Sequence, residues 1–358
     1  MPIVSLIGQD ALQARLLAAH QQGALPASLL FHGPPGVGKQ RLALWLARAM
    51  LCTAAQPACG ACENCRFTAE LTHPDLHWVF PRPRPKDADP SAAEVRRDAA
   101  DAIADRVKAH GLYAPPSGTE GIFIATVRAM LQQATLSPAL ARRKVFVVGD
   151  AERMVSQEGA DQAANAFLKL LEEPPADTTI IITSSEPGAL LPTIRSRVVA
   201  VRVPSLPDAD VRRWLQEPTV RAALDAARLP ASDDERVRLA GGAPGLLLGS
   251  TERGEAIAAA GRLLDAATGG SRARRLRAAF GTGSSKARGA FSDTLDAVTV
   301  QLHDRVRDAV RRGDDRAAAA AARAVDAVET AKQRAAGNVT PQLIAAGLMR
   351  EIADGTRR

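Results

Sequence analysis

The 358 residues predict an α/β protein with a parallel sheet followed by a helical half, and three observations carry that expectation. The first is a short apolar run, Leu29-Leu30-Phe31-His32, which enters a Gly/Pro-rich turn and then a helical pattern in Leu42, Trp45, Leu46, Ala49 and Met50. The second is a pair of β-rich runs, Val145-Phe146-Val147-Val148 and Thr179-Ile180-Ile181-Ile182, short enough for buried parallel strands. A helical pattern over about residues 161–171 separates them, as a doubly wound sheet requires. The third is a change of character after Val203: Pro204 and Pro207 mark a boundary, and the rest is Ala/Arg/Leu-rich with helical periodicity. Gly241-Gly242-Ala243-Pro244-Gly245 breaks that helical half. The chain therefore divides into an α/β core over residues 1–205, a small helical lid over 206–250 and a helical C-terminal domain over 251–358.

Composition narrows the function classes. With 46% hydrophobic and 24% charged residues the chain is globular, not disordered. Aromatics are only 3%, so the cores rest on Ala, Leu, Val and Ile, and base stacking is a minor binding device at most. No apolar run approaches the roughly 18–20 residues that cross a bilayer, and Met1-Pro2-Ile3-Val4 lacks the layout of a signal peptide, so a cytoplasmic protein with no membrane partner is expected. A net charge of +7 and a pI near 9.7 point either to an acidic neighbour such as nucleic acid or to a solvated basic face. Residues 81–121 break the α/β order. Pro81-Arg82-Pro83-Arg84-Pro85 reads as extended, 92–109 as a charged amphipathic helix and Pro115-Pro116-Ser117-Gly118 as a turn, together a surface insertion.

Gly33-Pro34-Pro35-Gly36-Val37-Gly38-Lys39 matches G-x-x-x-x-G-K between a strand and a helix. Such glycines turn backbone N–H groups inward around phosphate oxygens, the helix N-terminus adds partial positive charge, and Lys39 adds a point charge. ATP or ADP, with Mg²⁺, is the ligand this loop would take; the alternative is a loop that keeps its shape without one. Two residues oppose fast hydrolysis. Gln40 stands where the pattern wants a Ser or Thr hydroxyl for Mg²⁺, and the strand Val145–Val148 runs into Gly149-Asp150 in place of an Asp–Glu pair. Asp150 could still offer one carboxylate.

All four cysteines, Cys52, Cys59, Cys62 and Cys65, fall within fourteen residues as C-x6-C-x2-C-x2-C. Four thiolates within reach of one ion favour a structural, tetrahedral Zn²⁺ site with no open position; an iron–sulfur cluster is the alternative. His73 and His77 lie nearby and read as ordinary loop residues.

Taken together, Ile7-Gly8-Gln9, the phosphate loop, the four-cysteine knot after the first helix, His73-Pro74-Asp75, the run from Ala164 through Glu172-Glu173-Pro174-Pro175, and Thr193-Ile194-Arg195-Ser196-Arg197 resemble the clamp-loader branch of the AAA+ ATPases. The similarity covers about residues 3–205 well and the lid loosely, while the C-terminal domain matches only in its helical character. The resemblance implies an AAA+ core, a lid and a collar-type oligomerisation domain. It implies a hetero-oligomer with the gamma/tau and delta subunits of a bacterial DNA polymerase III loader, serving a sliding clamp and primer-template DNA. Arg197 then corresponds to an arginine finger donated to a neighbour's ATP site, where a guanidinium can neutralise charge on the transferring phosphoryl group. Without that match, Arg195 and Arg197 read as alternating residues of a surface strand. Thr183 falls at the family's first sensor position, and Gly242-Ala243-Pro244-Gly245 offers no second sensor arginine.

Three functions follow. The leading one is a non-motor, stator-like loader subunit with weak or absent ATPase activity of its own. The second is a gamma/tau-like subunit that hydrolyses ATP, favoured by Lys39 and opposed at Gln40, Gly149 and Gly245. The third is a free-standing zinc-containing nucleic-acid-binding protein, motivated by the pI and the cysteines.

Overall fold

A computed structural model describes residues 3–357 except 86, 88, 89, 115–119, 155–160, 227–231, 249, 270, 283–287, 337 and 338, so the turn expected at Pro115–Gly118 lies outside the described residues. Five parallel strands form one sheet: β1 (Ser28–His32), β2 (Leu76–Val79), β3 (Lys144–Val148), β4 (Thr178–Ser184) and β5 (Val199–Arg202). Their order is β2-β3-β4-β1-β5. The expected runs are β1, β3 and β4, the three central strands, and all three are buried. Alternate side chains of these strands reach two separate cores. Val145, Val147 and Ile181 join Phe31, Leu42, Leu46 and Trp78 on one face, while Phe146, Val148, Ile180 and Ile182 join Met130 and Phe167 on the other. A period of two feeding two apolar layers is what a sheet covered by helices on both faces demands.

The edge strands were not legible as such. His77 is not a loop residue: it sits in β2 with its ring stacked on Phe146, 4.5 Å between centroids. Burial holds its imidazole well below the usual range, at about 4. His73 is buried too and accepts the Asp75 N–H through Nδ1 at 3.0 Å. Arg195 and Arg197 do not alternate along a strand, because Pro192 opens a short helix, Pro192–Arg195, and Arg197 follows in the next turn. Proline at a first helical position is preset for that geometry.

The chain forms two compact units. The first holds residues 1–226 and 230–248, so the sheet and the lid segment share it. The second, residues 227–229 and 249–358, is built from helices whose core includes Leu264, Phe291, Leu295, Val298, Val328, Leu348 and Met349. None of the described helices is long and apolar enough to cross a membrane.

The entry to β3 depends on one carboxylate. Asp75 accepts N–H groups of Ala139, Leu140 and Ala141 at 2.6, 2.8 and 2.6 Å, and its own carbonyl accepts from Val145. Lys144 beside it is buried, donating to the carbonyls of Ala134 and Leu136 and pairing with Asp177 at 3.6 Å. Burial would raise the Asp75 carboxyl; the three backbone donors outweigh that and lower it below 3.8. An acid depressed in the folded state adds stability above its unfolded pKa and loses it as pH falls through the folded one. Asp75→Ala is therefore expected to cost about 2–4 kcal/mol at neutral pH by orphaning three donors. In denaturant titrations its deficit should shrink below about pH 4; a deficit independent of pH would contradict this account.

Candidate nucleotide site and four-cysteine centre

The carboxyl ends of β1, β3 and β4 converge, and there the structure gathers the phosphate loop, Asp150 and Thr183 expected from the sequence. The loop leads from β1 into the helix Lys39–Leu51, whose face of Leu42, Leu46 and Met50 is buried against the sheet. Val37 anchors the loop in the same core, and Pro35 lies exposed at its crest. The lid segment backs the loop directly. Gly245 N–H donates to the Gly36 carbonyl at 2.9 Å, and a Cβ on Gly245 would come within 2.9 Å of that oxygen. Gly245 is thus a residue of close backbone approach, where a side chain would press on the loop.

Lys39 is folded onto its own loop. Its Nζ donates to the carbonyls of Gly33 and Pro34 and to Ser185 Oγ, each at 2.9 Å. Burial lowers its pKa, with Asp150 and Glu152 opposing that. Gln40 is buried beside it and uses both ends of its amide. Nε2 donates to Asp150 Oδ2 at 2.8 Å, and Oε1 accepts from Trp78 Nε1 at 3.0 Å. A Cβ at Gly149 would overlap this amide, so glycine there makes the room that Gln40 fills. Asp150 has φ +48°, and its N–H donates to Thr183 Oγ1 at 3.1 Å, so the expected sensor threonine holds the strand end in place. Burial, with Glu152 adding to it, raises the Asp150 carboxyl to about 6 against the pull of Lys39, Arg106 and Arg153. Glu152 Oε1 accepts the Ser185 N–H at 3.0 Å.

Sequence reasoning missed Trp78, Ser185, Glu152 and Arg106. The insertion is the larger surprise, because its inner side is part of the site region and not merely an external elaboration. Its expected helix is present, Ala92–Lys108, opened by a capping box between Ser91 and Glu94. From that helix Arg106 places its guanidinium carbon 3.3, 3.7 and 4.6 Å from the ring centroids of Phe80, Tyr113 and Trp78. Arg41, on the phosphate-loop helix, donates to the carbonyls of His110 and Gly111 at 3.4 and 3.3 Å. Burial lowers the Arg41 guanidinium to about 10.

The four cysteines also come together, their sulfurs within 4.8 Å of one another. Cys52 Sγ lies 3.6 Å from that of Cys59 and 3.7 Å from that of Cys62, and Cys59 lies 3.9 Å from Cys65. A tetrahedral ion bound at about 2.3 Å sets sulfurs about 3.8 Å apart, so the spacing fits one ion. A multi-iron cluster would hold its thiolates apart by its own width. Backbone N–H groups of Ala61 and Cys62 point at Cys59 Sγ, and that of Cys65 at Cys62 Sγ, 3.3–3.4 Å away. Burial works against ionising Cys62, but donors from Thr53 and Cys65 outweigh it and lower the thiol to about 6, whereas burial pushes the Cys65 thiol up.

Arg197 makes none of the phosphate-loop contacts. Its Nη1 donates to the Thr193 carbonyl at 2.9 Å and to Ser196 Oγ at 3.3 Å, while Nη2 meets Glu172 Oε1 at 2.7 Å.

Residues 8–207 match the model of a protein family described as DNA polymerase III, delta subunit. The chain belongs to this family. It is 34% identical over 218 residues to the DNA polymerase III subunit delta' of Pseudomonas aeruginosa, covering 60% of this chain and 52% of that protein. It is 29% identical over 238 residues to the subunit delta' of Escherichia coli, covering 65% and 57%. To the DNA polymerase III subunit gamma/tau of Mycobacterium tuberculosis it is 31% identical over 212 residues, covering 59% and 30%. The chain thus spans little more than half the length of the two delta' relatives.

The Asp150 carboxyl supplies a test of the site's electrostatics. A group whose folded pKa is raised takes up a proton on folding, so stability falls as pH rises from 3.8 to about 6. Asp150→Asn removes that dependence and should gain on the wild type by about 1–3 kcal/mol between pH 4 and pH 7. Parallel stability–pH curves for the two proteins would show that Asp150 is ionised without penalty.

Proposed function

We propose that this chain is a non-motor, stator-like subunit of a DNA polymerase III clamp loader, of the delta' kind. Its own phosphate loop does not drive hydrolysis, and Arg197 serves the ATP site of a neighbouring subunit. The observation that carries this reading is the Gln40 amide, held between Trp78 and Asp150 on the side of the loop where a motor subunit needs a hydroxyl and Mg²⁺. An amide engaged at both ends has no place in the octahedral oxygen shell of that cation. Lys39 remains able to meet phosphate oxygens by exchanging its loop carbonyls, so ATP or ADP can occupy the loop without being turned over. Arg197, by contrast, is about one-third exposed, and its planar fork suits phosphate. Partners under this reading are the gamma/tau and delta subunits, with the sliding clamp and primer-template DNA met through the complex.

Reconstitution of the loader with its cognate subunits tests this. Clamp- and DNA-stimulated ATP turnover should stay within about twofold of wild type for Lys39→Ala. Arg197→Ala should remove the share contributed by the neighbouring site, in complexes that assemble equally. Loss of turnover in Lys39→Ala would make this chain a motor.

Cys52, Cys59, Cys62 and Cys65 are proposed to hold one structural Zn²⁺, which staples the segment between the helices Lys39–Leu51 and Glu63–Ala69. Four thiolates leave no position for a reacting water, so the ion supplies stability, not chemistry. Elemental analysis should find about one zinc per chain, and Cys65→Ser should lose it and lower the melting temperature by roughly 5 °C or more. A metal-free wild type of equal stability would refute the site.

A further inference from the structure

We propose that Glu172 is the positioning residue for Arg197, fixing the direction in which its guanidinium leaves this subunit. This rests on the reading of Arg197 as the group donated to a neighbouring ATP site. The run ending Glu172-Glu173-Pro174-Pro175 and the run Thr193–Arg197 are separate in sequence, yet they meet in one ion pair of 2.7 Å.

Glu172 is the last residue of the helix Asp161–Glu172. A carboxylate there faces the negative end of the helix dipole, which disfavours it by itself. The compensating cation is Arg197, two elements later. Glu172 is exposed and Arg197 is about one-third exposed, so the pair adds little to folding. Its consequence is orientation. A guanidinium has five N–H donors in a rigid plane. The Thr193 carbonyl and Ser196 Oγ take two on Nη1, and Glu172 takes one on Nη2. Three acceptors from two different elements fix both the position and the tilt of that plane. Two N–H groups remain, the number needed for a forked contact with phosphate oxygens.

Thr193 and Ser196 belong to the same turn as Arg197 and move with it, so they cannot set its direction relative to the sheet. Glu172 can, because its helix packs Phe167 and Leu170 into the core beneath the sheet. Removing the Glu172 carboxylate leaves the arginine present and charged but free to swing. A misplacement of that kind lowers the rate at bound substrate without weakening nucleotide binding at the served site.

The test is a double-mutant cycle in the reconstituted loader, reading kcat and KM for ATP in the presence of clamp and primed DNA. Glu172→Ala is expected to lower the Arg197-dependent share of kcat roughly fivefold with KM unchanged, whereas Glu172→Asp retains most of it. In an Arg197→Ala background, Glu172→Ala is expected to add nothing. Gel filtration and thermal unfolding of each variant confirm equal assembly and folding. If Arg197→Ala lowers turnover and Glu172→Ala does not, the positioning role is wrong while the arginine reading stands. An equal loss from Glu172→Ala with and without Arg197 also refutes it. If Arg197→Ala itself is silent, both fall.

Discussion

The Gln40 amide is the contact on which the candidate phosphate site of this chain depends. A hydroxyl at that position would leave lone pairs free for a cation; the amide instead spends its donor on Asp150 and its acceptor on Trp78. Displacing it would leave a buried indole N–H and a buried carboxylate without partners, a cost of about 1–3 kcal/mol for each group. That resistance is local and steric as well as electrostatic, since only a glycine at 149 admits the amide at all. Gln40 and Gly149 are therefore one change in two parts, and either alone would be a clash or a void.

The same contact ties the site to the insertion. Trp78 touches Gln40 through its indole nitrogen and Arg106 through its ring, and Arg106 is also packed against Phe80 and Tyr113. With only 3% aromatics in the chain, three of them converge on one guanidinium. Cation–π contacts of this kind contribute roughly 0.5–2 kcal/mol each, enough to hold the helix Ala92–Lys108 in register beside the loop. Arg41 closes the ring of contacts from the other side by holding the turn at His110 and Gly111. A segment that composition marks as a solvated elaboration is thus a structural wall of the site, because its charged face and its inner face belong to the same helix.

How much of this was legible follows from where each signal resides. The central strands β1, β3 and β4 are continuous apolar runs because both of their faces are covered, and such runs are visible without a partner. The edge strand β2, Leu-His-Trp-Val, mixes polarity because only Trp78 among its residues is fully buried. β5 is mostly exposed and carries even less. The phosphate loop and the cysteine knot were readable because their chemistry needs fixed local spacing. Trp78, Arg106 and Glu172 were not, because each acts through a partner at least 25 residues away, and no local pattern encodes that pairing. The alternative in which Arg195 and Arg197 alternate along a strand fails for the opposite reason: their spacing of two imitates a strand, while Pro192 commits the segment to a helical turn.

These contacts divide the subunit into a closed half and an open half. At the loop Lys39, Gln40 and Asp150 find their partners within the chain: Lys39 in two carbonyls and Ser185, Gln40 in Trp78 and Asp150, Asp150 in Gln40 and, through its N–H, Thr183. At Arg197 the balance is reversed, with three acceptors engaged and two donors left over on a partly exposed group. Under the proposed reading, a motor site would exchange partners at each turnover and would not be held this tightly by its own side chains. Under the proposed reading, a chain that presents Arg197 to a neighbour needs rigidity behind that group. The sheet supplies it, since the helix bearing Glu172 is packed on one face of the same layer whose strand ends hold Gln40 and Asp150 in place.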